Sequence, residues 1–440
     1  MSHESVHREP VSPVDTAWLR MDTPTNLMMI TGVMVFDEPF AFEQLEALLR
    51  ERLLKQRRFR QRVVESRLPL VVPHWEDDPH FDLRAHIHRV ALPSPGDQAA
   101  LQEMVSDLMS TPLDRSKPLW QLHLVEGYGK GCAIVTRIHH CMGDGVALVR
   151  VLLELTDEGT GVSLQAVGVP ATHFIKTPVD MARHAAEQAA TLGKLLILPS
   201  DPKTSLRGPL GTSKRAAWSG PVNLGRVKWI AKGLGAKVND VLVGALVGAL
   251  RSYLEDHGGL PGGAEIRAMV PVYMQGHSGG EASHGNHFGL VFLPLPLGIT
   301  EPLACIAAVK ERMDAIKGSA EATVALNVLG AMGVASTELE HVGLDIFTRK
   351  ATVMVTNVPG PPATLHMAEH ALRQVLVWAP VSGALGLSVS MLSYAGEVRV
   401  GVASDAGLVA NPEVIVQAFE KSLAQVEAAA TLALSTARTA

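Results

Sequence analysis

The sequence predicts an α/β protein of two lobes facing one another across a shared cleft. Three observations carry this. At 440 residues the chain exceeds what one hydrophobic core usually supports, so two domains are expected. Each half mixes strand-like and helix-like stretches in similar proportion. Between the halves, from Glu158 to about Gly220, runs a segment rich in Gly, Pro, Ser and Thr, interrupted by the helix-like Val179–Leu196. The expected division is an N-terminal lobe over 1–160, a connection with one helix over 161–220, and a C-terminal lobe over 221–440.

In chain order, "MMITGVMVF" (Met28–Phe36) reads as a strand and Phe42–Gln56 as an amphipathic helix. "QLHLVEGYGKGCAIVTRIHH" is a hairpin signal, two strand-like runs around a glycine-rich turn. Val146–Asp157 is helical. Beyond the connection, "LGRVKWIAKGLG" and "VNDVLVGALVGALRSYLED" are helical, and "AEIRAMVPVYM" and "FGLVFLPLPL" are strand-like. A helix over Pro302–Ile316, "ATVMVTNVPGPP", a hairpin across Tyr394–Glu397 and an Ala-rich helix complete the chain.

Composition excludes several classes. Net charge is −5, which gives no nucleic-acid footprint. Cys132, Cys141 and Cys305 lack metal-ligand spacing and read as reduced thiols of a cytoplasmic protein. The polar "MSHESVHREPVSP" has no apolar signal core. The longest apolar runs, Val241–Leu250 and Phe288–Ile299, fall short of the ~18 residues a spanning helix needs. Any contact with lipid is therefore expected from one side.

The stretch that carries chemistry is "RIHHCMGDGVAL" (Arg137–Leu148). Side chains alternate along a strand, so His140 shares a face with Ile138, Thr136 and Ile134, and His139 with Arg137 and Val135. The two imidazoles point apart, which argues against one shared metal ion. His140 falls on the more apolar side, where an imidazole stays neutral and can accept a proton. Gly143 and Gly145 permit a sharp turn, from which Asp144 folds back to the strand or caps the next helix.

Other features compete. "GHSGG" (Gly276–Gly280) matches a nucleophile elbow around Ser278, but "EASHGNHFG" follows where that motif needs a helix, so it reads as a loop. "GYGKG" is a hairpin turn. His86 and His88 lie two apart, on one strand face, without a third ligand. "RERLLKQRRFRQR" (Arg50–Arg62) reads as a solvated helix face that could also attract anionic lipid headgroups or a phosphorylated cofactor, with Arg57, Arg58 and Arg60 the residues for lipid.

With these residues in hand, the chain resembles the bacterial wax ester synthase/diacylglycerol acyltransferase family, within the larger CoA-dependent acyltransferase superfamily. The resemblance runs from "SPVDTAWLRMDTP" to "LGLSVSMLSYAGEVRVGVASD". It includes Pro118-Leu119-Trp120, the H-H-x-x-x-D-G string, Asn239-Asp240, "VPV", Gly285-Asn286 and "TNVPGPP" with Asn357. The resemblance implies two chloramphenicol-acetyltransferase-like lobes with a tunnel at their interface. It implies a fatty acyl-CoA co-substrate, no permanently bound cofactor or metal, and a long-chain alcohol or diacylglycerol acceptor. It also implies His140 as general base, His139 and Asp144 beside it, and Gly145, Pro118, Leu119, Trp120, Asn239 and Asp240 in support. Asn286, Asn357 and Gln275 are candidate oxyanion or substrate contacts. Tyr273 and Gln275 stand where the family usually has serine and arginine, with Arg267 as a possible substitute for the arginine. The expected setting is the cytoplasm, peripheral to the inner membrane or lipid droplets. A silent lipid-binding or lipid-droplet-associated relative is the alternative from another class, and a serine hydrolase using Ser278 of "GHSGG" ranks behind it.

Overall fold

The computed structural model describes residues 8–65, 71–143, 145–159, 168–169, 178–258, 265–274, 288–317 and 319–439. A short strand β1 (Glu9–Pro10) precedes helix α1 (Pro13–Arg20). Ser12 caps α1 by accepting the Asp15 N–H at 3.1 Å, and Pro13 opens it where no N–H is needed. Next come β2 (Met29–Phe36), α2 (Phe42–Glu51), β3 (Gln61–Val64), β4 (His74–Asp77), β5 (Ile87–Ala91) and α3 (Gln98–Ser110). The hairpin β6 (Trp120–Tyr128) and β7 (Gly131–His139) leads to α4 (Gly145–Leu155).

The chain continues through β8 (Gly168–Val169), α5 (Pro178–Ile197), β9 (Lys214–Trp218), β10 (Val222–Asn223), α6 (Leu224–Gly233) and α7 (Val238–Asp256). Strands β11 (Ile266–Met274) and β12 (Phe288–Leu295) precede α8 (Pro302–Lys317), α9 (Glu321–Val334) and α10 (Thr337–Thr348). The last elements are β13 (Val353–Pro359), β14 (His366–Met367), β15 (His370–Trp378), β16 (Leu387–Tyr394), β17 (Glu397–Asp405) and α11 (Glu413–Thr439).

Two large sheets result. One has the order β14-β15-β2-β7-β6-β5. The other runs β10-β17-β16-β13-β11-β12, with β8 on β11 and β9 on β17. Pro294 sits in β12, the end strand of its sheet, where a missing N–H costs no ladder bond. Helix α7 is apolar nearly all round and is accordingly buried, the centre of the larger core. Gly244 and Gly248 let its neighbours approach: a Cβ there would lie 2.7 Å from Ile306 and 2.2 Å from Ser422.

The sheets do not follow the halves of the sequence. Strand β15, far along the chain, pairs with β2, while β9 of the 161–220 segment pairs with β17. Strand β15 buries both faces, Leu372 and Val375 in one core and Leu376 and Trp378 in another. An apolar run of this kind states that it will be buried but not in which sheet.

The basic run also departs from expectation. Helix α2 stops at Glu51, and Leu53–Lys55 and Arg57–Arg60 form 3-10 turns before β3. Buried Phe59 pulls this segment inward, so it is not one solvated helix face. Arg57 pairs with Asp77 at 2.6 Å, and Arg58 lies 4.1 Å over the Trp75 ring with Glu9 beside it. Among the described residues no single helix is long and apolar enough to cross a membrane. The bent pair α6–α7 passes by length and composition alone, and α7 is core.

Candidate active site

Strand β7 lies between β2 and β6, and its end is held from both sides. The His139 N–H donates to the Leu119 carbonyl at 2.9 Å, and the His140 N–H to the Met28 carbonyl at 2.7 Å. His140 then opens a 3-10 turn through Met142, and α4 starts at Gly145. Asp144, Gln275, Asn286 and the Gly276–Gly280 string lie outside the described residues.

The alternation argument holds at the histidines. Thr136, Ile138 and His140 line one cavity of about 270 Å³, whereas Arg137 and His139 do not. Trp18 and Phe288 wall the imidazole. The Trp18 ring lies 4.1 Å from it at 14°, and the Phe288 ring lies 5.5 Å away. Trp18 comes from α1, the imidazole from the end of β7, and Phe288 from β12 of the other sheet. The histidine therefore stands at the seam of the two sheets.

The rest of the cavity is mostly apolar. Ile30 and Leu122 come from one lobe, Leu290, Met354 and Leu392 from the other. No Asp, Glu, Lys or Arg lines it among the described residues. Of its polar groups, the Tyr394 hydroxyl is engaged, donating to Leu372 and accepting from Leu365, both at 2.8 Å. Asn357 gives one N–H of its amide to Asn239 at 3.0 Å, which leaves a second to offer. Such a space suits an aliphatic chain with one reactive group held near an imidazole.

His139 serves another neighbourhood. Its Nδ1 accepts the Cys141 N–H at 3.2 Å, which assigns the proton of the neutral ring to Nε2, 3.7 Å from Asp22 Oδ2. Burial holds the His139 pKa below its ordinary value, against the pull of Asp22. Burial likewise opposes ionisation of Asp22, but His139, the Met28 N–H and Arg115 outweigh it and keep that pKa low. Asp22 accepts Met28 N–H at 2.8 Å and Arg115 at 3.0 Å. Met28 in turn holds the His140 backbone. His139 and Asp22 thus brace the corner from which His140 projects.

Three expected supports find their places. Pro118-Leu119-Trp120 starts β6, with Leu119 holding His139 and the Trp120 indole donating to the Phe59 carbonyl at 2.9 Å. Asp240 caps α7 by accepting the Lys237 N–H at 2.8 Å, and Asn239 beside it meets Asn357. One expectation needs correction. His86 has helical backbone just before β5, so it does not share a face with His88: it stacks on Trp120, while His88 meets His123. Arg267 forms a structural ion pair, 2.8 Å from Asp201, and also donates to the Pro199 carbonyl.

Comparison with known proteins decides the family. The model of the wax ester synthase/diacylglycerol acyltransferase catalytic domain matches residues 11–163, and that of the C-terminal domain of the same family matches 284–427. The chain belongs to the wax ester synthase/diacylglycerol acyltransferase family.

Its relatives agree in length as well as sequence. A putative diacylglycerol O-acyltransferase of Mycobacterium tuberculosis H37Rv is 27% identical, over 95% of this chain and 90% of that protein. A probable diacylglycerol O-acyltransferase of the same organism is also 27% identical, over 95% and 96%. The wax ester synthase/diacylglycerol acyltransferase from Marinobacter aquaeolei VT8 shares the fold, with a TM-score of 0.71 at 24% identity over 96% of this chain and all of that one. The first condensation domain of the calcium-dependent antibiotic synthetase does too, at TM-score 0.64 and 13% identity, over 97% of each chain. The protein is thus a two-lobed acyltransferase. Sequence reasoning named its histidines but overlooked Trp18, Asp22, Arg115 and Phe288 as their neighbours. A signal was present in "SPVDTAWLRMD", a capped short helix with a tryptophan one and a half turns in.

Proposed function

We propose that this acyltransferase moves a fatty acyl group from acyl-CoA to the hydroxyl of a long-chain alcohol or a diacylglycerol, with His140 as general base. One observation carries the reading: among the described residues one imidazole reaches a predominantly apolar cavity between the lobes. An alcohol is a poor nucleophile at neutral pH, so a base takes its proton as the oxygen attacks the thioester carbonyl. The C–O bond forms, the C–S bond breaks, and the proton on His140 passes to the leaving thiolate. No covalent acyl-enzyme is needed. Asn357, with its second amide N–H, is the described candidate for the developing oxyanion. The setting that fits these substrates is a lipid surface reached from the cytoplasm.

Incubation with palmitoyl-CoA and hexadecanol, following thiol release, tests this directly. Repeating it with dipalmitoylglycerol assigns the acceptor. Binding of both lipids without thiol release would instead make the protein a silent lipid-binding relative.

A further inference from the structure

We infer that the end of α5 and the outer side of α9–α10 form the face by which this protein docks on a lipid surface; this rests on the acyl-transfer reading above. Ten large apolar side chains are exposed among the described residues, and six of them are here: Leu196, Ile197, Val334, Leu339, Val342 and Ile346. Single exposed aliphatics are ordinary, but a contiguous group marks an interaction site. Leu339, Val342 and Ile346 recur at helical spacing along one side of α10. Val334 ends α9, just before the turn into α10. Lys350, directly after α10, draws the end of α5 against it by donating to the carbonyls of Leu196 at 3.0 Å and Leu198 at 2.6 Å.

The occupant follows from what lies beneath. Phe347 and Val328, inward of the stripe, join Leu195, Met354 and Leu290 in one apolar cluster. Met354 and Leu290 also line the cavity that holds His140. Apolar material therefore runs unbroken from the surface stripe to the acyl site. Substrates of that site are aliphatic chains that reside in lipid, so a lipid layer at this face places them at the end of a continuous apolar path. Lys194 and Lys203 are exposed at the α5 end of the stripe, where anionic headgroups would meet them, whereas Arg349 there is paired with Asp345 at 2.6 Å.

The test uses the purified full chain and flotation with phosphatidylcholine vesicles, with and without phosphatidylglycerol. Wild type is expected to float in high salt, because burial of aliphatic surface supplies the attraction. The double variant Leu339→Glu/Ile346→Glu should partition at least ~100-fold less, since each lost aliphatic contact counts about tenfold. Ile197→Glu, at the other end of the face, should fall about tenfold and guards against misfolding of the first variant. Turnover of a dissolved short-chain acyl-CoA with butanol should be unchanged in both, while turnover of vesicle-embedded dipalmitoylglycerol falls with binding. Wild-type failure to float, or flotation equal to wild type in both variants, overturns the proposal. So does a wild-type dimer that disperses in the variants without any vesicle binding, which would make the occupant a second copy. Normal flotation of wild type, lost in the variants, with no thiol release on any substrate would fall on the acyl-transfer reading and leave the docking face standing.

Discussion

Trp18 lies flat on His140, ring centroids 4.1 Å apart and planes 14° from parallel. The indole belongs to a short helix near the start of the chain, the imidazole to a turn 122 residues later, and neither position is free to drift. Stacked rings contribute about 0.5–1.5 kcal/mol beyond buried area, or roughly two- to twelvefold in rate if the stack fixes the base. Trp18→Leu should therefore lower kcat by that factor with little change in KM for acyl-CoA, while Trp18→Phe keeps a ring and most of the rate. Equal turnover in the two variants would remove the positioning role.

Of the two adjacent histidines, only His140 faces the cavity. His140→Ala should cost about 10²–10⁴ in kcat/KM, the usual contribution of proton transfer, and leave the protein folded. His139→Gln should cost less rate but lower the melting temperature, because it breaks the buried contact with Asp22. Near wild-type turnover in folded His140→Ala would sink the proposed mechanism.

Helix α1 is seated on α9 at Gly333, where a Cβ would fall 1.6 Å from the Pro13 carbonyl oxygen. Arg20 reinforces the contact by donating to the Ala335 carbonyl at 2.8 Å. Gly333→Ala should destabilise the protein by about 1–3 kcal/mol through overpacking. It should also reduce kcat, because α1 carries Trp18. The paired readout is thermal melting and turnover; a stability loss with unchanged kcat would separate α1 from the chemistry.

Acid should weaken the fold before most carboxylates titrate. Burial, with His88 and Arg137 nearby, holds His123 down to about 4. An unfolded imidazole takes its proton near 6.5, so below that pH the unfolded chain binds more protons than the native one. The stability from neutral His123 is full above pH 6.5 and is lost as pH falls from 6.5 to 4. His86, His88 and His139 shift in the same direction, chiefly through burial. His123→Asn should flatten the fall of melting temperature across this window, which reflects a stability change with a ceiling of about 3 kcal/mol. Parallel pH profiles for variant and wild type would contradict this.

Glu340 titrates the other way. It is fully buried in the first turn of α10, and neither carboxylate oxygen meets a hydrogen-bond partner among the described residues. Burial pushes its pKa up to about 7, although Arg20 opposes the rise. Unfolded glutamate ionises near 4.5, so the stability held by the protonated form is full below that pH and is lost as pH rises through 7. Glu340→Gln should raise the melting temperature at pH 8 and change it little at pH 5. A uniform shift at both would mean the effect is packing alone.

Local matters were legible in the sequence: that β7 ends in two imidazoles on opposite faces, that glycines follow them, and that α7 is a helix whose apolar run is too short to span a membrane. Period-two alternation and apolar runs are properties of neighbouring residues, so they can be read without a fold. Only the tertiary structure decided which residues surround His140, because Trp18, Phe288 and β15 reach the site across long sequence separations. It also decided against two local readings. Buried Phe59 broke the expected basic helix, and helical backbone at His86 took that ring off the strand face of His88. Register and burial pattern are written along the chain, whereas contact between distant segments is fixed by how whole sheets pack, and no single stretch encodes that.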